Sequence, residues 1–242
     1  MPYAVAVASL FKFALFAAAL IALLVFVVAP AVIGPMISGA IREAGLGGED
    51  VEVSVDLFGP SLLSGRAPSL HVEAQDVAVS RTVIGNVDVT LHGVSVTDRT
   101  FDSVTGTLER IAVDGPGGQH FVVYSVELDG PAAETRASGR ISAKEAEALV
   151  AQVASDAGLK VEGVAFEEDR IVLRHDGTRS EGTLRVAGEA LILERRGEEA
   201  VVLLAPAPSD PWTLRDIKVT VEGLQVDMIV DAQALAAAMG DD

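Results

Sequence analysis

The side chains able to do bond chemistry are few, and their spacing suits none of the familiar reactions. Histidines stand at His71, His92, His120 and His175. None lies at a metal-ligand spacing from another, and no HExxH occurs. His71 and His92 fall at polar positions of alternating segments, so they are expected on the solvent side of strands. Glu167-Glu168-Asp169 gathers three carboxylates but lacks the alternating oxygen ligands of a calcium loop, so a solvated turn is expected there. Ser9-Leu10-Phe11-Lys12 fits an SxxK pattern without its companion motifs, and Lys12 reads better as the flank of an apolar run. There are no cysteines, which excludes disulfides and thiolate chemistry. Nucleophile elbows, P-loops and dinucleotide fingerprints are absent from the sequence. The 35 acidic residues offer too many carboxylate pairs for a glycosidase pair to stand out. The expectation is a non-catalytic chain without metal or cofactor.

The elements that would position any site divide the chain in two. Residues 13–33 carry no charge, and as a helix they would span roughly 30 Å, the thickness of a bilayer core. The run exceeds a signal h-region, so an uncleaved single-pass anchor over 1–35 is expected. Lys12 and the N-terminal amine place the N-terminus in the cytoplasm and the rest in a periplasm or outside the cell. Pro30, Gly34 and Pro35 break the anchor, and 36–48 form a linker in which Met36 to Ala44 could be a short amphipathic helix. Lys12 is the one charged residue before Arg42. The remainder therefore holds 17 of the 18 basic residues and all 35 acids, a net charge of −18. That balance repels phosphate backbones and argues against nucleic acid as a partner.

Residues 49–240 read as one exported domain. Val51, Val53, Val55 and Leu57 alternate with polar residues, the pattern of a half-buried strand. Leu62-Leu63 forms an apolar tip in the turn-rich stretch 58–68. Three decamers then share one pattern: LHVEAQDVAV at 70–79, VDVTLHGVSV at 87–96 and IKVTVEGLQV at 217–226. Apolar residues fill positions one, three, five, eight and ten of each. The odd step from five to eight would turn the strand over unless a bulge or tight turn at Asp76, Gly93 or Gly223 restores the face. Each decamer is read as one long strand bent at its middle, giving a strongly curved sheet. Phe121 to Tyr124 and Val201 to Leu204 are apolar on both faces and are expected to be covered on both. Ser142-Ala143-Lys144-Glu145 is a capping box that opens a helix with a stripe of Ala146, Leu149, Val150 and Val153, ended by Gly158. Further strands are expected near 101–113, 119–128, 134–141, 159–166, 170–175, 182–194 and 199–205. Asp231 is a candidate cap for a last helix, Ala232 to Met239.

The segments VEVSVDLFGPSLLSGRAPSLHVEAQDVAV at 51–79, GNVDVTLHGVSV at 85–96, RASGRISAKEAEALVAQVASDAGLKVEG at 136–163 and the strand at 214–226 resemble the bacterial LmeA-like phospholipid-binding family. The resemblance covers roughly 48 to 230 and rests on strand and turn pattern, without a catalytic motif. It implies a cell-envelope protein that binds phospholipid. It also implies a fold related to the tubular lipid-binding superfamily: an α+β fold in which an N-terminal transmembrane helix precedes a curved, mainly antiparallel sheet wrapped around a central helix. An apolar groove between sheet and helix would then hold acyl chains. Its candidate lining is Leu57, Phe58, Leu62, Leu63, Leu70, Val72, Val89, Leu91, Phe121, Val123, Leu149 and Val153. The alternative is an envelope interaction module with a packed core and no ligand.

Overall fold

The structure is a computed structural model that describes residues 50–56, 66–79, 82–95, 98, 100–114, 120–156, 158–175, 177–207 and 210–234. Period-two stretches build an antiparallel meander of β1 (Asp50–Asp56), β2 (Arg66–Val79), β3 (Thr82–Ser95), β4 (Ser103–Asp114), β5 (His120–Pro131) and β6 (Thr135–Ser142). In β6 the alternation is plain: Thr135, Ala137, Gly139 and Ile141 are buried while the residues between them are more open. The helix α1 (Ala143–Asp156) follows. A second meander contains β7 (Gly163–Glu167), β8 (Arg170–His175), β9 (Thr178–Ala187), β10 (Ala190–Arg195) and β11 (Val201–Leu204). The hairpin of β12 (Trp212–Thr220) and β13 (Gly223–Val230) then rejoins the first meander beside β6. The large sheet runs β1-β2-β3-β4-β5-β6-β13-β12, and the small one β11-β10-β9-β8-β7.

The serine half of the capping box forms as its residues dictate. Ser142 Oγ accepts the Glu145 N–H at 3.3 Å, filling one of the orphan donors of the first turn. At the other end Gly158 takes φ +87, its N–H bonds to Ser155 O, and the Leu159 N–H bonds to Ala154 O. This paired closure satisfies the last carbonyls. Ala146, Val150 and Ala154 are buried along one stripe. α1 packs on β7 and β11 of the small sheet and on β5, β6 and β13 of the large one. β12 touches β7, β8 and β9, and the Asp169 N–H donates to Val219 O at 3.3 Å across that junction. One hydrophobic cluster runs through both sheets.

The expected fold class is corrected. In place of an α+β sheet wrapped around a central helix, the described chain is mostly β, with two open antiparallel sheets. Among the described residues α1 is the only helix of seven or more, and it sits where the sheets meet. The reason is local. Positive φ at Asp169, Gly188 and Glu189 makes tight hairpin turns, so 163–204 pair with themselves instead of extending the large sheet. The expected transmembrane helix and linker fall outside the described residues, and no described helix is long and apolar enough to cross a membrane.

Other expectations shift with it. The strand expected over 182–194 is two strands, because Gly188-Glu189 supplies a two-residue turn. The decamer at 217–226 is not one bent strand: Gly223, at φ +136, ends the turn between β12 and β13. Val202 and Tyr124 are 52% and 55% exposed, so β11 and this end of β5 are not covered on both faces. β11 is an edge strand, and the outer face of β5 has no layer over it at Tyr124. Asp231 does cap the start of a helix, accepting the Ala234 N–H at 2.8 Å, and 235–242 lie outside the described residues.

Candidate functional site

The odd steps in the large sheet line up across neighbouring strands. In β2 the buried side chains run Val72, Ala74, then Val77. In β3 they run Val89, Val87, then Ile84; in β4 Leu108, then Ile111; in β5 Val126, then Val123. Pairing joins Ala74, Val87, Leu108 and Val126 in one row and Val77, Ile84, Ile111 and Val123 in the next. Each strand thus inserts an extra residue at the same level, and β6 absorbs the change through a register shift opposite Val123 and Ser125. Asp76 and Arg110 take φ +48 and +54 on this line. The Arg110 Nη2–H donates to Gly85 O at 3.2 Å, and a side chain on Gly85 would meet Arg110 Nε at 2.6 Å. An irregularity in one strand bends that strand, whereas the same irregularity in four neighbours creases the sheet. Gly93, at φ +63, accompanies a second odd step, from Leu91 to Val94 in β3, beside Leu70 to Ala67 in β2.

Five of the candidate lining residues meet on the inner face of this creased sheet. Leu70 pairs with Leu91 and Val72 with Val89, and Val123 lies beyond the crease. All five are 0–3% exposed, so each is closely packed. Leu149 on α1 is half-buried and packs on the same cluster. Leu57, Phe58, Leu62 and Leu63 lie outside the described residues. Phe121 and Val153 belong to β5 and α1, but their side chains lie outside the described set. Sequence reasoning missed Ile84, Val104, Leu108, Ile111 and Val126, which share the buried face. The three-residue spacings Leu108 to Ile111 and Val123 to Val126 were the available signal.

The polar groups fall elsewhere. His71 is half-buried, with Nδ1 3.0 Å from Thr90 Oγ1, Nε2 3.1 Å from Glu73 Oε1, and Asp88 Oδ1 3.8 Å away. His71, Glu73 and Asp88 could together offer metal ligands, and the grouping was not legible because Asp88 arrives through β2–β3 register. His92 is exposed, as expected of a polar strand position. Glu167-Glu168-Asp169 forms the β7–β8 turn, with Glu167 bound to Arg170 and Arg179. Glu194 pairs with Arg185, and that hydrogen bond holds its carboxyl below the ordinary glutamate value and raises Arg185.

Clefts open among the described residues. The one beside the α1–β7 connection has about 570 Å³ and is lined by Gly158 to Val161, Leu173, Ser180, Arg195 and Glu198. A second, of about 470 Å³, holds Arg136 and Arg215 with Glu134, Asp216 and Asp227. A third, of about 410 Å³, holds Tyr124, Arg140 and Glu222 on the outer face of the large sheet.

Residues 27–241 of this chain match the LmeA-like phospholipid-binding family. The chain belongs to that family. No curated protein and no solved structure matches it. Membership in the LmeA-like family points to a lipid ligand, while the aligned odd steps keep one apolar face through irregular backbone.

Proposed function

We propose that this LmeA-like protein binds phospholipid at the cell envelope, laying acyl chains against the inner face of the creased sheet. The observation that carries the reading is the row of aligned odd steps through β2–β5, which keeps one continuous apolar face around a bend. A flat sheet has no concavity, whereas a creased one can wrap a chain. Each methylene buried there would contribute about 0.8 kcal/mol, so apolar contact suffices without a salt bridge. The residues that would line the groove are the inner-face set Leu70, Val72, Val89, Leu91 and Val123, with Leu149 at its edge. Entry of an acyl chain requires the packing over them to open. The uncharged run 13–33 supports attachment to a membrane, and Lys12 before it supports a cytoplasmic N-terminus with the remainder outside. Transfer of the bound lipid between envelope layers is the proposed use.

A ligand-free interaction module is the second reading, favoured by the closed packing at those same residues. Native mass spectrometry of the full chain released from mild detergent separates the two. Adducts at phospholipid mass are expected; a clean apo mass under conditions that preserve other lipid complexes would replace lipid binding with the second reading.

A further inference from the structure

We propose that the cleft beside the α1–β7 connection receives a phosphoryl anion on the Arg195 guanidinium, with Lys160 and Ser180 on its rim. Its lipid form, a phospholipid headgroup, rests on the phospholipid-binding reading above; the anion site itself does not.

Arg195 is the last residue of β10, and its side chain is only 15% exposed. Opposite it on β9 stands Gly182. A side chain there would come 2.8 Å from Leu193 Cδ1 and 3.5 Å from Arg195 Cγ, so the glycine makes room for the arginine stem. The guanidinium is incompletely used. Nη2 contacts Glu198 Oε2 at 2.5 Å, while Nε, on the same edge of the fork, is buried without a partner. Buried donors are rarely left open, because the lost hydration is not replaced. The Nε–Nη2 edge matches two oxygens of a phosphate, which would satisfy both donors where Glu198 satisfies one. Glu198 lies on an exposed turn and can yield.

Arg195, whose Nε is buried without a partner, lines this cleft and neither of the other two. In a chain of net charge −17, a shielded guanidinium is a place where an anion would concentrate. The floor of the cleft suits an amphiphile. Leu173 is buried in the shared core, and Leu159 and Val161 pack against that core while lining the cleft.

The test compares uptake of phosphatidylglycerol and of diacylglycerol from detergent micelles by the full-length protein. The two probes share acyl chains and differ in the phosphoryl headgroup. Wild type is expected to favour phosphatidylglycerol. Arg195→Gln should lower that preference roughly tenfold, as loss of a charged hydrogen-bond donor does. Arg195→Lys should fall between, because it keeps the charge without the fork. Lys160→Gln, on the exposed rim, should lower the preference by a smaller factor and guards against misfolding of the Arg195 variants. Arg196→Gln, outside the cleft, should match wild type. An unchanged preference in both Arg195→Gln and Lys160→Gln overturns the headgroup site. If neither lipid is taken up, the phospholipid reading fails, and a titration with inorganic phosphate followed by ³¹P line width judges the site alone. Broadening with wild type but not with Arg195→Gln upholds a site for a free phosphoryl anion; no broadening with wild type overturns it.

Discussion

The two sheets bury similar aliphatic residues by different means. In the large sheet, buried residues from β2 to β5 lie on one face, and their odd steps coincide, so the backbone itself is shaped. In the small sheet, β7, β8, β9 and β10 pair without a break in register, and three consecutive residues are buried in β8 and again in β10. Val172 and Ile192 are buried there without joining the shared core, on the face that pairs Val172 with Glu181 and Ile192 with Arg185. Those neighbours belong to the ion pairs Arg170–Glu181 and Arg185–Glu194. Long charged side chains can roof an apolar residue with their stems while their ends stay wet. The large sheet therefore spends its irregular backbone on curvature, and the small sheet uses side-chain charge to finish a plain meander. The proposed lipid contact belongs with the first, and the proposed phosphoryl site with the second.

The contrast can be broken most severely in the large sheet. Leu108→Ala removes a fully buried side chain beside the crease and should cost about 2–5 kcal/mol in urea unfolding, whereas Val83→Thr on the exposed outer face should stay within about 0.5 kcal/mol. Equal losses at the two positions would mean that the outer face is also core.

The next test sharpens the role of the crease. Asp76→Val puts a β-branched residue at φ +48 and should cost about 1–2 kcal/mol, while Asp76→Gly should be neutral or stabilising. The same pair of substitutions at Glu189, at φ +71 in the small sheet's hairpin turn, should move stability alike. Only the Asp76 change should also reduce phospholipid adducts in native mass spectrometry, because only that position lies on the crease.

At the junction, Ser142→Ala should cost about 1 kcal/mol by thermal unfolding through loss of the α1 cap, with Ser142→Gly costing less. The smallest effect belongs to the small sheet's surface. Glu194 has its carboxyl value depressed by Arg185, so its contribution is present above the ordinary glutamate range near pH 4.3 and is lost as pH falls through the lower folded value. Thermal midpoints of wild type and Glu194→Gln should differ slightly at neutral pH and converge in acid. A gap that widens on acidification would contradict the pairing.

Much was legible from residues whose effect is local. Ser142, Glu145 and Gly158 announced α1 and its ends, because capping needs only a few neighbouring atoms. Asp76 and Gly93 announced irregular backbone, because an odd apolar step cannot be met by a regular strand. Legibility failed where a pattern has two physical solutions. The step at Gly223 looks like those at Asp76 and Gly93 in sequence, yet it makes a hairpin. Gly188-Glu189 lay inside the stretch 182–194 read as one strand, and with it went the separation of the small sheet.

By itself, then, the order of residues determined most of the strands, the helix and its caps, and the odd steps at Asp76 and Gly93. Each of these depends on contacts within a few positions along the chain. Tertiary structure alone decided that the odd steps of four strands fall on one line, that 163–204 form a sheet of their own, and that Arg195 comes to lie beside Lys160 and Ser180. Those outcomes depend on register and on which strands pair, and pairing energy is shared among residues far apart in sequence.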